Sequence, residues 1–100
     1  MLVHADIISL TNDMSRFAFI IRVMGLADLA QKYEAVAEKL RADRSVEAVD
    51  AARVWVSGSF GQGSGSLSDR YVYRDGSFDK SLNEEYEKIL HKLTDFGHGV

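Results

Sequence analysis

From residue 7 to residue 24 the apolar positions Ile7, Leu10, Met14, Phe17, Ile21 and Met24 fall at alternating three- and four-residue steps. This is the spacing that aligns side chains on one face of an α-helix, and it predicts a first helix here. Thr11, Asn12 and Asp13 interrupt it with side chains that compete for backbone hydrogen bonds, so Thr11 or Asn12 offers an alternative start as a cap. Ile8, Phe19, Ile20 and Val23 add apolar character on further faces, as expected of an element central to the core or covered by a partner.

Gly25 reads as a C-terminal cap. Beyond it Leu26, Leu29, Tyr33, Val36 and Leu40 repeat the same spacing and predict a second helix over residues 26–43, with Lys32, Glu38, Lys39, Arg41 and Asp43 on its outer face. Ser45 can cap a third helix whose inward positions are Val46, Val49, Ala52 and Val56, with Phe60 as a further candidate, while Glu47 and Asp50 favour its positive N-terminal end. Trp55 lies beside that stripe and reads as a core or core-edge residue. Tyr71, Val72 and Tyr73 favour extended structure and Asp75-Gly76 is a turn signal, which predicts a short strand or hairpin. Ser81-Leu82-Asn83-Glu84 matches the reciprocal capping box, so a last helix is expected to open there. Leu82, Tyr86, Ile89 or Leu90, Leu93 and Phe96 would face inward, with Gly97 as its stop.

The expected fold is therefore mainly α: a small bundle of about four helices with a short β-strand or hairpin insert before the last. Its 100 residues, 46% of them apolar, suit one domain with a modest core. Without cysteine, neither disulfides nor thiolate metal sites can hold the fold, so stability must come from packing and helix propensity, as suits the cytosol. The N-terminal residues lack a basic stretch ahead of an apolar run, and the longest apolar run, Phe17 to Ile21, is too short to span a bilayer. A cytoplasmic protein that binds no membrane is the expectation. The formal charge of −3 disfavours nucleic acid as ligand and favours a basic protein partner.

Residues 58–69, GSFGQGSGSLSD, hold four of the chain's eight glycines. A phosphate loop would need a preceding strand, a following helix and a terminal Lys-Ser or Lys-Thr; here the expected order is reversed and no lysine occurs between Lys39 and Lys80. Ser59, Ser64, Ser66 or Ser68 with His91 and Asp69 or Asp95 could be arranged as a hydrolase triad, but nothing in their spacing selects it, and serines in glycine-rich segments are mostly turn and cap residues. Glu87, His91 and Asp95 recur every four residues, with His98 just beyond, a spacing that could hold a divalent metal but equally marks a solvated helix face. Arg53, Arg70 and Arg74, interleaved with Tyr71 and Tyr73, could converge into a protein interface, or Arg53 could simply pair with Asp50 or Asp69. No catalytic, metal or cofactor site is expected. The glycines are best explained by a backbone that leaves the third helix, turns tightly and re-enters as a strand.

In Gly63, Gly65, Ser66, Leu67 and Asp69, followed by Tyr71-Val72-Tyr73, the Asp75-Gly76 turn and the last helix, the chain resembles a family of small, mostly helical bacterial proteins. The family's segment reads Gly-x-Gly-Ser-Leu-Asn-Asp; here Ser68 stands in place of Asn, and Arg70 where an apolar residue is usual. The segment is expected to have a structural role, with Leu67 plugging the core and Ser66 and Asp69 accepting hydrogen bonds from nearby backbone N–H groups. The resemblance implies a function, since members are associated with immunity partners of contact-dependent toxins. A toxin-neutralising role without catalysis follows as the expectation, with Glu84, Glu85, Glu87 and Asp95, or Asp43, Glu47 and Asp50, as contacts to a basic toxin domain. The alternatives are a helical domain that self-associates through the apolar excess of the first helix, and a small hydrolase or metal-dependent enzyme.

Overall fold

The computed structural model describes residues 4–59 and 71–99. Among them run α1 (His4–Val23), α2 (Ala27–Ala42), α3 (Val46–Ser59), the strands β1 (Tyr73–Arg74) and β2 (Ser77–Phe78), and α4 (Lys80–Gly97). The mainly helical architecture with a hairpin before the last helix is the one the spacing predicts. The expectations for Gly63, Gly65, Ser66, Leu67 and Asp69, and for Phe60 and Arg70, fall outside the described residues.

α1 is the hub, packing along α2 and against α4, while α3 packs on α4 and more sparingly on α2. Four rings in contact trace the core across all four helices. Tyr86 of α4 stacks on Phe17 of α1 at 5.5 Å, Phe17 meets Tyr33 of α2 edge-on at 5.0 Å, and Tyr33 meets Trp55 of α3 edge-on at 4.7 Å. Trp55 is half-buried, a core-edge residue as expected. The several apolar faces of α1 follow from its place: Phe17, Ile20 and Ile21 are all fully buried between its neighbours.

Helix boundaries and faces depart from the sequence pattern in four places. α1 runs through Thr11 and Asn12 instead of starting there, because the buried Thr11 hydroxyl donates back to the Ile8 carbonyl at 2.8 Å and needs no cap position. Its end is the one expected: Gly25, at φ 88°, lets its own N–H reach the Arg22 carbonyl and the Leu26 N–H reach that of Ile21, a Schellman turn. In α2, Ala30 and Ala37 are fully buried while Leu29 and Val36 are only partly so; small side chains at the contact let α2 approach α1 closely. Val46 is 62% exposed at the first position of α3, ahead of the turn that brings Val49, Ala52 and Val56 inside.

The fourth departure concerns the start of α4, whose end at Gly97 is the one expected. Asp79, not Ser81, is its N-cap: the Asp79 carboxylate accepts the Leu82 N–H at 2.9 Å, and Ser81 and Glu84 lie exposed without forming the capping box. The hairpin decides this, because the Asp79 N–H bonds the Val72 carbonyl at 3.2 Å and leaves Asp79 extended at the point where a cap must sit. Gly97 is the last residue of α4 and matters for space: a Cβ there would lie 3.3 Å from the Ser57 Cα, so its lack of a side chain lets α3 and α4 close up. Ile89 is the buried residue of the Ile89-Leu90 pair.

The hairpin turns on Asp75 and Gly76, at φ 54° and 80°, the pair of left-handed residues that a type I′ turn requires.

Candidate functional site

The seven carboxylates expected to meet a partner separate into engaged and free groups. Glu85 takes a bidentate bond from the Arg16 guanidinium of α1, which also holds Arg16 more firmly protonated than an isolated arginine. Asp50 accepts from Arg53 at 3.0 Å, one turn on. Glu84, Glu87 and Asp95 are exposed on α4, where with His91 they form one stripe at helical spacing, free of ion pairs among the described residues. Asp43 opens the short connection from α2 to α3, and Glu47 lies in the first turn of α3. The Asp43 carboxylate accepts the Ser45 N–H at 3.0 Å, which pulls its pKa below the usual carboxylate range, and the Ser45 hydroxyl in turn caps α3 through the Ala48 N–H.

Next to the first turn of α4 stands the hairpin, with Tyr71, Tyr73 and Phe78 each more than half exposed. Their rings touch one another, Tyr71 to Phe78 at 6.4 Å and Tyr73 to Phe78 edge-on at 5.9 Å. Exposed aromatics in contact, with Arg74 beside them, have the composition of an interface anchor. The hairpin is held to α4 by Asn83, whose amide bonds both the N–H and the carbonyl of the buried Val72. That role was not visible in the sequence, where Asn83 is the unassigned position of a capping box.

Among the described residues the other constellations do not assemble, and their members Ser64, Ser66, Ser68, Asp69 and Arg70 fall outside those residues. The Ser59 hydroxyl donates to the Val56 carbonyl at 2.7 Å and meets the Tyr33 hydroxyl, so it is spent on holding the end of α3; His91 lies exposed on α4 without contact to it. Glu87, His91 and Asp95 are exposed, and among the described residues no group of three metal-ligating side chains is gathered. Arg53 and Arg74 do not converge: Arg53 donates to the Phe96 carbonyl at 2.9 Å at the C-terminal end of α4, and Arg74 belongs to the hairpin at the opposite end.

Surface depressions complete the picture, one of them, of about 390 Å³, between the hairpin and the start of α4, lined by Arg74, Phe78 and Ser81 among others. Asp6, Asp13, Lys92 and Asp95 surround another of about 280 Å³ between α1 and α4, with Lys92 and Asp13 paired at 3.6 Å. Two others, of about 410 and 370 Å³, lie end to end along the seam between α2 and α3 and share Trp55 as their common wall. The apolar stripe that lines this seam on α3 could have been found in the sequence as a second set of helical steps, Ala51, Val54, Trp55 and Gly58.

Among the described residues no helix is long and apolar enough to cross a membrane. Compared with protein-family models, with curated proteins and with solved structures, the chain finds no match.

Proposed function

We propose that this chain is a cytoplasmic immunity-type binding protein, which neutralises a bacterial toxin domain by occluding its active site or substrate surface and performs no catalysis of its own. The reading rests on the resemblance of residues 63–97 to small helical proteins of toxin–immunity loci. The observation that carries it is the surface formed by the hairpin and the outer face of α4. There the exposed rings of Tyr73 and Phe78 lie in the hairpin that leads into α4, and α4 itself carries the exposed carboxylates Glu84, Glu87 and Asp95, without ion pairs among the described residues. Aromatic anchors supply the buried contact area of an interface, and free carboxylates on a rigid helix steer a basic partner and fix its register. A toxin that binds nucleic acid presents such a basic surface.

The test is co-expression and co-purification with the product of the reading frame immediately upstream. A stable complex that restores growth to cells expressing that product is the expected result. If the two proteins do not bind, the reading fails.

A further inference from the structure

α3 is a two-faced helix. Val49, Ala52 and Val56 fill the core, and Asp50 and Arg53 are committed to each other and to the end of α4. Away from those residues lies a second stripe, Ala51, Val54, Trp55 and Gly58, spaced three, one and three residues apart along one side of the helix. It carries no charge. Val54 is 74% exposed, the highest value of any large apolar residue described, and a side chain added at Gly58 would meet no atom within 4 Å. The stripe borders the α2–α3 seam, the most loosely closed of the helix–helix contacts that ring the bundle.

The charges at the two ends of this seam differ in sign. Lys32 lies at the Gly58 end, and Asp43 and Glu47 lie at the other, where Lys39 offsets only one of the two carboxylates. Lys32 and Ala42, the last residue of α2, are about 15 Å apart along the helix axis, and Asp43 follows directly. A copy rotated about a two-fold axis through Trp55 would set the Lys32 end of each seam against the Asp43–Glu47 end of the other. The surface is thus complementary to itself, which a two-fold interface requires.

We infer that the α2–α3 seam is a homodimer interface, in which Ala51, Val54, Trp55 and Gly58 of two copies pack in antiparallel register and Lys32 meets Glu47. The small residues Ala51 and Gly58 allow the helices to approach, Val54 and Trp55 supply the buried area, and the end charges set the register. The inference is independent of the toxin-binding reading, which uses the hairpin and α4.

Sedimentation velocity of the full chain from micromolar to millimolar concentration tests it. The wild type is expected to pass from monomer to dimer over this range, and Val54→Glu to weaken dimerisation at least tenfold with unchanged helicity and melting temperature. Lys32→Glu and Glu47→Lys should each weaken it, and the two together should recover dimerisation. A wild type that stays monomeric throughout overturns the inference, as does an undiminished dimer in Val54→Glu. A monomer whose complex with the upstream product is lost in Val54→Glu also overturns it and assigns the seam to that partner. A double charge swap no better than the single ones rejects the antiparallel register.

Discussion

Asn83 of α4 holds Val72 as a neighbouring strand would: its Oδ1 accepts the Val72 N–H at 2.7 Å and its Nδ2 donates to the Val72 carbonyl at 2.8 Å. The same Nδ2 donates to the Asp79 carbonyl at 2.7 Å. Asn83 and Val72 are both buried, so water does not replace these bonds, and one amide ties the start of the hairpin to the start of α4.

Removing that amide leaves the buried Val72 N–H without a partner. Asn83→Ala should destabilise the protein by about 3 kcal/mol, the sum of the lost bonds and an unsatisfied buried donor. Asn83→Asp keeps the acceptor but turns a charged oxygen toward two carbonyls. Its deficit should shrink between pH 7 and pH 4 as the carboxyl protonates and regains a donor. Urea denaturation of both variants at the two pH values checks this; equal deficits for Asn83→Asp at both would contradict the assigned donor role.

The helix start can be separated from its decoy. Asp79→Ala removes the oxygen that accepts the Leu82 N–H and should cost about 1 kcal/mol. Ser81→Ala should change stability by less than about 0.5 kcal/mol, since Ser81 is exposed and lies within the first turn. Equal costs at the two positions would restore the capping box.

Those two residues show how far local pattern reaches. The type I′ turn at Asp75-Gly76 and the end of α1 at Gly25 are legible because the chemistry that fixes them lies within a few residues. The start of α4 is not, because Asp79 and Ser81 are both competent caps and a contact from Val72 decides between them. In α2 the spacing places the helix but not its rotation: Ala30 and Ala37 are buried because α1 comes close, which no periodicity records. The candidate site divides in the same way. That Glu84, Glu85, Glu87 and Asp50 are acidic positions on helices is plain from the sequence, whereas the engagement of Glu85 by Arg16 spans 69 residues of chain and emerges only on folding.

Two glycines in helices should respond in opposite directions. Gly58 has open space where a Cβ would stand, so Gly58→Ala should stabilise the monomer by roughly 0.5–1 kcal/mol through helix propensity. Gly97→Val forces branched carbon toward the Ser57 backbone, only 3.3 Å from the Cβ position, and should cost about 2 kcal/mol by parting α3 from α4. Thermal unfolding at low micromolar concentration measures both.

Tyr33 links stability to pH at the alkaline end. Burial pushes its hydroxyl up to about 12, with the Ser59 contact offsetting part of the shift. The folded state therefore binds this proton more tightly than the unfolded chain, whose tyrosines titrate near 10, and the contribution is intact below pH 10. It should fall by roughly 1 kcal/mol at pH 11 and by about 3 kcal/mol once pH exceeds 12. Tyr33→Phe lacks this titration while sharing every lysine with the wild type. The stability difference between the two, measured by urea denaturation from pH 8 to pH 11, should shift in favour of the variant as pH rises; a constant difference would remove Tyr33 from the account.

The carboxylates of α4 provide the last test, because the structure sorts them by what a charge reversal disturbs within the fold. Glu85→Lys sets a cation against Arg16 at a contact that joins α1 to α4, so it should lower the melting temperature whether or not a partner is present. Glu84 and Glu87 have no such tie among the described residues, and Glu84→Lys with Glu87→Lys should leave unfolding within about 0.5 kcal/mol of the wild type. If these two residues steer a basic toxin domain, the double variant should bind the upstream product at least tenfold more weakly, mainly through a slower association rate, and rising salt should narrow the gap. Association and dissociation rates measured at two ionic strengths distinguish the cases. Unchanged affinity in a double variant that folds normally would move the interface off α4 while leaving the complex itself intact.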